Sequence, residues 1–310
     1  MAKLVVIIVS WNTVDLTRDC LRSLYDDLKG IDNEVWVVDN HSSDDSVNMI
    51  KSEFPQVKLI ENTENVGFAK ANNQALREAM GDYYLLLNSD TIIPSGSIRA
   101  ICDFMENNSQ ASAAGPKMRD ADGVVQLPFR SLPSIGSEIR YCLVYHFFPL
   151  SRIFKAWFER KQVKLESLCK PIVVDVLSAA CLIIRKDVID KVGVLAEEYF
   201  LFSEENDYFY RMRKAGFKSY FLPDIEIIHL VGRSRRKRNI IDSEVNFVKS
   251  RKIYFKKFHR HKLFLFKAIY YFFFSWSCVM AKMSQLLKGK GDNDYFTLYR
   301  TLLKTIGQRE

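Results

Sequence analysis

The sequence has no Cys-x-x-Cys pair and no cysteine–histidine group at metal-ligand spacing. Its six cysteines, Cys20, Cys102, Cys142, Cys169, Cys181 and Cys278, are scattered along 310 residues. That pattern excludes a zinc ribbon or finger and offers no disulfide framework, so a reducing, cytosolic compartment fits best. Glycine-rich phosphate loops are missing too. No Gly-x-Gly-x-x-Gly follows the first apolar run, and no Gly-x-x-x-x-Gly-Lys-Ser/Thr occurs, which argues against a dinucleotide Rossmann site and a P-loop. There is no internal repeat and no low-complexity tract. The apolar run at residues 4–9 is too short, and ends too polar at Ser10-Trp11-Asn12, to be a signal peptide. Residues 268–281 are apolar and aromatic between Lys267 and Lys282, short of the ~20 residues that a spanning helix needs.

What is present is ordinary for a globular protein: 48% apolar and 26% charged residues, with chain enough for one large or two small domains. The net charge of +8 is unevenly placed, because residues 231–310 carry +14 and the first 230 carry −6. A mildly acidic body with a basic tail predicts that the tail meets an anionic surface. Through the first hundred residues the pattern alternates. Strands are predicted at 4–9, 34–39, 57–61 and 83–87, with helices at 16–28, from Ser43-Asp44-Asp45-Ser46 to about 51, and at 68–80. Alternation with short loops implies an α/β fold, a mostly parallel central sheet flanked by helices, with ligands bound at the carboxyl ends of the strands. Further on, Asp122-Gly123 predicts a hairpin turn between strands 113–118 and 124–129. Strands follow at 173–177 and 181–184, a helix at 205–215, and two short strands at 218–222 and 226–230. Residues 130–170 carry no clear period.

The strand ends bear a consistent polar set: Asn12, Asp39-Asn40, Asn65 and Asn88-Ser89-Asp90. Asp and Asn are good turn formers, so one such end says little, whereas four converging on one edge point to a polar ligand. Four blocks carry a specific resemblance. Val9-Ser10-Trp11-Asn12, Val37-Val38-Asp39-Asn40-His41-Ser42, Asn65-Val66-Gly67-Phe68-Ala69-Lys70-Ala71-Asn72-Asn73 and Leu85-Leu86-Leu87-Asn88-Ser89-Asp90-Thr91 occur in order. They resemble the inverting family 2 glycosyltransferases of GT-A fold, in particular the bacterial rhamnosyltransferase-like branch. Phe200-Leu201-Phe202-Ser203-Glu204-Glu205-Asn206-Asp207, then Arg211, Gly216 and a strand ending at His229, continue the match over about residues 3–260.

The resemblance implies roles residue by residue. Asp39 matches the acid that receives the nucleotide base, and Ser10, Asn12, Asn40, Asn65, Gly67, Phe68 and Asn72 line the same nucleotide-sugar site. Asn88-Ser89-Asp90 stands where the branch usually shows Asn-Pro-Asp, with Asp90 matching the metal-binding residue of the family's Asp-x-Asp. One carboxylate there suits Mg²⁺ or Mn²⁺ held weakly until donor arrives. His229 matches a histidine that completes the metal shell or contacts the diphosphate. Glu204-Glu205 matches the acidic motif of the catalytic base, with Glu205 as the base, Glu204 beside it and Asp207 structural. Ala179 and Leu195-Ala196-Glu197-Glu198 depart from the usual pattern around the acceptor pocket.

The expected organisation is a catalytic domain at 1–232 and a basic, helical, membrane-proximal tail at 233–310, opening on Arg233, Arg235, Arg236, Lys237 and Arg238. The 268–281 segment suits a helix lying in a bilayer interface, helped by anionic lipid. A buried or homodimer-forming helix is the bland alternative. No nucleic-acid module is visible. The expected function is transfer of one sugar, dTDP-L-rhamnose being the favoured donor, to a lipid-linked glycan at the cytoplasmic face of the plasma membrane in O-antigen or capsule synthesis. A UDP-hexose-dependent relative is the rival within the family. From other classes, a nucleotidyltransferase would need a glycine-rich basic loop that residues 4–13 lack, and a non-catalytic sugar-nucleotide or polyanion binder would have no use for Asp90 and Glu205.

Overall fold

In the computed structural model, residues 2–146, 165–230, 240–288 and 293–308 are described. In chain order they form β1 (Leu4–Ser10), α1 (Val14–Asp27), β2 (Asn33–Asp39), α2 (Ser46–Glu53), β3 (Lys58–Glu61), α3 (Phe68–Glu78) and β4 (Tyr83–Asn88). Then come β5 (Thr91–Ile92), α4 (Ser97–Asn107), β6 (Ala111–Arg119), β7 (Phe129–Arg130), α5 (Ile135–His146), β8 (Ile172–Val174), β9 (Val176–Leu177) and β10 (Cys181–Arg185). The chain continues with α6 (Lys186–Val192), α7 (Glu204–Lys214), β11 (Lys218–His229), α8 (Ile240–Phe258), α9 (Leu263–Lys288) and α10 (Asn293–Gly307). Two units result: Met1–Leu132, Lys164–Phe200 and Glu204–Lys237 make the first, and Pro133–Val163, Leu201–Ser203 and Arg238–Glu310 the second.

In the first unit β1 lies between β2 and β4, parallel to both. Neighbours on both edges and helices on both faces let it carry an unbroken apolar run. Its side chains divide with period two. Leu4, Val6 and Ile8 join the core with Cys20, Leu21 and Leu24 of α1, whereas Val5 and Ile7 join the opposite core with Ala75 and Leu76 of α3. The sheet order is β3-β2-β1-β4-β10-β6-β11-β5, with β8 also on β11. Pairing is parallel through β3, β2, β1 and β4 and again between β6 and β11, while β10, β5 and β8 run antiparallel to their neighbours. The parallel half is the half whose carboxyl ends carry the polar residues.

Two local expectations change. The turn at Asp122-Gly123 forms, with Gly123 at φ +79° and its N–H on the Asp120 carbonyl at 3.1 Å. The returning segment, however, pairs only through an isolated Arg119–Val125 bridge, and Phe129–Arg130 pair with β9 instead. Pro128 has no N–H for a ladder at that point. The two short strands expected at 218–222 and 226–230 are one strand, β11, and a register shift against β6 between Leu222 and Glu226 absorbs Pro223-Asp224.

The second unit is helical. Tyr254, Phe255, Phe266, Tyr270, Phe274, Leu302 and Ile306 are buried in it. Glu138 of α5, 1% exposed, accepts the Tyr270 hydroxyl at 2.6 Å, and the Arg251 guanidinium lies 3.6 Å from its other oxygen. The apolar segment at 268–281 is the middle of the 26-residue α9. The unit takes in α5 as well as Arg238–Glu310, because α5 supplies the buried Glu138, Cys142 and His146. The expected boundary at 232/233 and the cluster Arg233–Arg238 lie outside the described residues.

Candidate active site

The carboxyl ends of β1 and β2 are in register, Ser10 opposite Asp39, and the Asn40 N–H donates to the Ser10 carbonyl at 2.7 Å. Asp39 is 2% exposed. Its Oδ2 accepts the Ser42 N–H at 2.8 Å, while its buried Oδ1 has no partner among the described residues. A buried acceptor left unpaired is costly, so it marks a place for a ligand N–H. The asparagines around it hold loops. Asn40 donates to Asn65 Oδ1 (2.9 Å) and accepts the Val66 N–H (3.0 Å). Asn12, in the left-handed region at φ +55°, accepts the Ser43 N–H at 2.6 Å. Asn72 is buried in α3 and donates to the Phe68 carbonyl. Gly67 sits at φ +85°, where a Cβ would come within 2.5 Å of the Phe200 carbonyl oxygen, the same oxygen that accepts the Phe68 N–H at 3.0 Å. Only glycine allows that approach.

Asn88-Ser89-Asp90 leaves β4 and turns into β5, and the pairing of Thr91 with His229 brings the end of β11 to this turn. Ser89 and Asp90 are buried, and the Asp90 carbonyl accepts the Leu230 N–H at 2.8 Å. His229 Nε2 lies 3.2 Å from Asp90 Oδ1 and 3.2 Å from Asn88 Nδ2. Its Nδ1 lies 2.9 Å from Gln126 Oε1, and Gln126 Nε2 donates to the His229 carbonyl at 2.7 Å. That second bond fixes the Gln126 amide with its oxygen toward the ring, so Nδ1–H donates to it, and Nε2 faces the Asp90 carboxylate and the Asn88 amide. With Nε2 unprotonated, this nitrogen and the carboxylate would be two adjacent donors for a cation. Two ligands at right angles and the short bond lengths of Mg²⁺ lie about 3 Å apart, so the pair fits an octahedral divalent ion. Among the described residues no three His, Cys, Asp or Glu side chains converge, and the other positions would fall to diphosphate and water.

At the start of α7 two glutamates meet different surroundings. Glu204 is 4% exposed, and its Oε2 is buried with no partner among the described residues. Burial first, and the neighbouring Glu205 charge second, push its carboxyl up to about 8. Glu205 accepts the Ala179 N–H at 2.7 Å on Oε1 and an ion pair from Arg130 on Oε2. Arg130 also donates through Nε to Asn206 Oδ1 at 3.2 Å. Phe202 and Ser203, just before the helix, are both left-handed non-glycine residues at φ +69° and +63°, a strained entry of the kind found at functional sites. Asp207 is fully buried between Arg211 Nε (2.6 Å) and the Tyr199 hydroxyl (3.2 Å), and Arg211 goes on to the Val192 and Val194 carbonyls. It fastens α7 to the preceding segment.

The glutamates and the Asn88-Ser89-Asp90 turn share a frame. Ala179 binds Glu205, and the carbonyl of the next residue, Ala180, accepts the Asn88 N–H at 3.0 Å. Arg130 and Gln126 carry no signal in the sequence that points to the site. Arg130 lies on a two-residue strand with no periodic signal, and its relevance appears only through the pairing of Arg130 with Val176. Gln126 is a lone polar residue in an irregular segment.

Known proteins place the chain in a family. The description Glycosyl transferase family 2 matches residues 5–193. The chain is 29% identical over 206 residues to an N-acetylglucosaminyl-diphospho-decaprenol L-rhamnosyltransferase of Mycobacterium tuberculosis, covering 63% of this chain and 66% of the relative. It is 24% identical over 215 residues to the dTDP-rhamnosyl transferase RfbF of Shigella flexneri, covering 68% and 64%. The matches thus span just under two thirds of these relatives' length. Among solved structures, the mannosyltransferase PcManGT from Pyrobaculum calidifontis, in complex with GDP-Man and Mn²⁺, matches with a TM-score of 0.57 at 14% identity over 98% of this chain and 86% of that one. TarS of S. aureus, residues 1–349, matches at 0.52 and 16% over 98% and 90%. At these identities the likeness is one of fold, the GT-A fold.

Proposed function

The chain belongs to glycosyl transferase family 2 and is a glycosyltransferase, and from that premise we propose that it moves one sugar, with inversion, from a nucleotide donor to a lipid-linked saccharide. The favoured donor is dTDP-L-rhamnose, a choice supported by the names of the two relatives above. The acceptor's lipid would keep the reaction at the cytoplasmic face of the membrane, in cell-surface polysaccharide synthesis, with the enzyme peripherally attached.

The observation that carries this reading is the set gathered along one sheet edge: the unpaired Asp39 Oδ1, the Asp90–His229 pair and the anchored Glu205. Asp39 would accept the N3–H of a thymine or uracil ring, with Ser10, Asn12, Asn40, Asn65, Gly67, Phe68 and Asn72 shaping the loops around it. Asp90 and His229 would hold Mg²⁺ or Mn²⁺ against the diphosphate, where the ion neutralises charge on the leaving group. Glu205 takes the proton of the acceptor hydroxyl as that oxygen bonds to the anomeric carbon. The bond from that carbon to the diphosphate oxygen breaks on the opposite face, and the nucleoside diphosphate leaves with the electron pair. Glu204, whose carboxyl burial pushes up to about 8, holds its proton at neutral pH.

Calorimetry of dTDP and UDP with and without Mn²⁺ tests the donor half. The expected outcome is binding that Mn²⁺ strengthens and an Asp90→Asn protein that has lost this increment. Unchanged metal dependence in Asp90→Asn would remove Asp90 from the metal site.

A further inference from the structure

Among the described residues of the second unit, one face of α9 is left uncovered, and that face is apolar. Phe266, Tyr270, Phe273, Phe274 and Ser277 turn inward and are buried. Phe264, Ala268, Phe272, Trp276, Val279 and Met283 are exposed, at spacings of four, four, four, three and four, so they form one stripe along the helix. Phe264 is 84% and Phe272 61% exposed. Soluble surfaces rarely leave such a stripe bare, and a run of this kind marks a docking face.

Charge identifies the occupant. Lys256, Lys257, Arg260, His261 and Lys262, all exposed, precede the stripe, and exposed Lys282 stands near its far end. From residue 245 to residue 291 the sequence holds eleven Lys and Arg and no Asp or Glu. A second copy of this helix would bring more positive charge and no counter-charge, whichever way it ran. Anionic lipid headgroups supply both the counter-charge and the apolar layer beneath it.

By length and composition Arg260–Ser284 could cross a bilayer, since an 18-residue stretch within it has a mean hydropathy of 1.5. The packing of its inner face argues otherwise. Tyr270, in the middle of the helix, bonds the buried Glu138 carboxylate, with Arg251 behind it. A spanning α9 would carry that ionic group into the hydrocarbon, where charged side chains are strongly disfavoured.

We propose that α9 lies in the plane of an anionic membrane, with Phe264, Phe272, Trp276 and Val279 embedded at the headgroup–acyl boundary and the basic cluster at its amino end on the headgroups. The inference deepens the peripheral-membrane part of the proposed function and rests on no step of the sugar transfer. The test is sedimentation of the full chain with phosphatidylcholine–phosphatidylglycerol vesicles and with pure phosphatidylcholine. Binding is expected to the anionic vesicles and to weaken with added salt. Phe272→Glu with Val279→Glu is expected to lower it by at least about tenfold, given the apolar area withdrawn. An environment-sensitive probe on a cysteine placed at 272 is expected to be quenched by shallow and not by mid-bilayer quenchers. Equal binding of the double variant overturns the proposal. So does mid-bilayer quenching, or a lipid-free dimer that the double variant breaks while vesicle binding is absent. Nucleotide binding, measured on the same proteins by calorimetry, is expected to be unchanged. Its loss in the wild type would sink the transferase reading and leave the membrane result standing.

Discussion

Glu204 and Glu205 are neighbours in unlike surroundings. Glu204 is sealed from water, whereas Glu205 meets an arginine and a backbone N–H. The sequence marks both as acids before a helix, but burial and the Arg130 contact are tertiary facts and have no local signature. Arg130→Met should therefore lower transfer about 10–100-fold by releasing the Glu205 carboxylate from its orientation, with nucleotide affinity unchanged and Arg130→Lys recovering part of the loss. Steady-state kinetics beside calorimetry separates this from a general loss of structure. Glu204 gives a second expectation. Its folded value of about 8 lies above the ordinary 4.5, so between those values the native state holds a proton that the unfolded chain releases. Stability then falls as pH rises through that window, by on the order of a few kcal/mol. Urea unfolding at about pH 5 and about pH 8 should show this slope in the wild type and a much flatter response in Glu204→Gln.

Elements were legible where hydrophobic period and strand ends agreed. β1, β2, β3 and β4 fall within a residue or so of the expected spans, and their carboxyl ends carry Asp39 and Asp90 as the pattern required. The antiparallel half was harder, because its decisive pieces are short or irregular: β7 and β9 have two residues each, and β11 runs through Pro223 by shifting register. Gly67 shows what one position contributes to an element. It lets the amino end of α3 close on the Phe200 carbonyl, so Gly67→Ala meets both a positive φ and a 2.5 Å clash. The expected cost is about 2 kcal/mol of stability, read from the urea midpoint, together with weaker nucleotide binding. An unchanged midpoint would mean that the loop relaxes freely.

Over the whole molecule, Arg238–Glu310 falls in a helical unit together with α5, which carries no signal in the sequence of belonging there. Glu138, Cys142 and His146 are buried there, so a chain cut before residue 233 would expose them, and experiments on function belong to the full protein. The first unit's claim is that one sheet edge both holds a nucleotide sugar and removes the acceptor's proton. Transfer by full-length Glu205→Gln, measured at saturating donor beside its donor affinity, tests that claim most directly. The expected result is donor affinity close to wild type and a transfer rate lower by about 10²–10⁴-fold, the usual contribution of a general base. Near wild-type transfer by Glu205→Gln would contradict it.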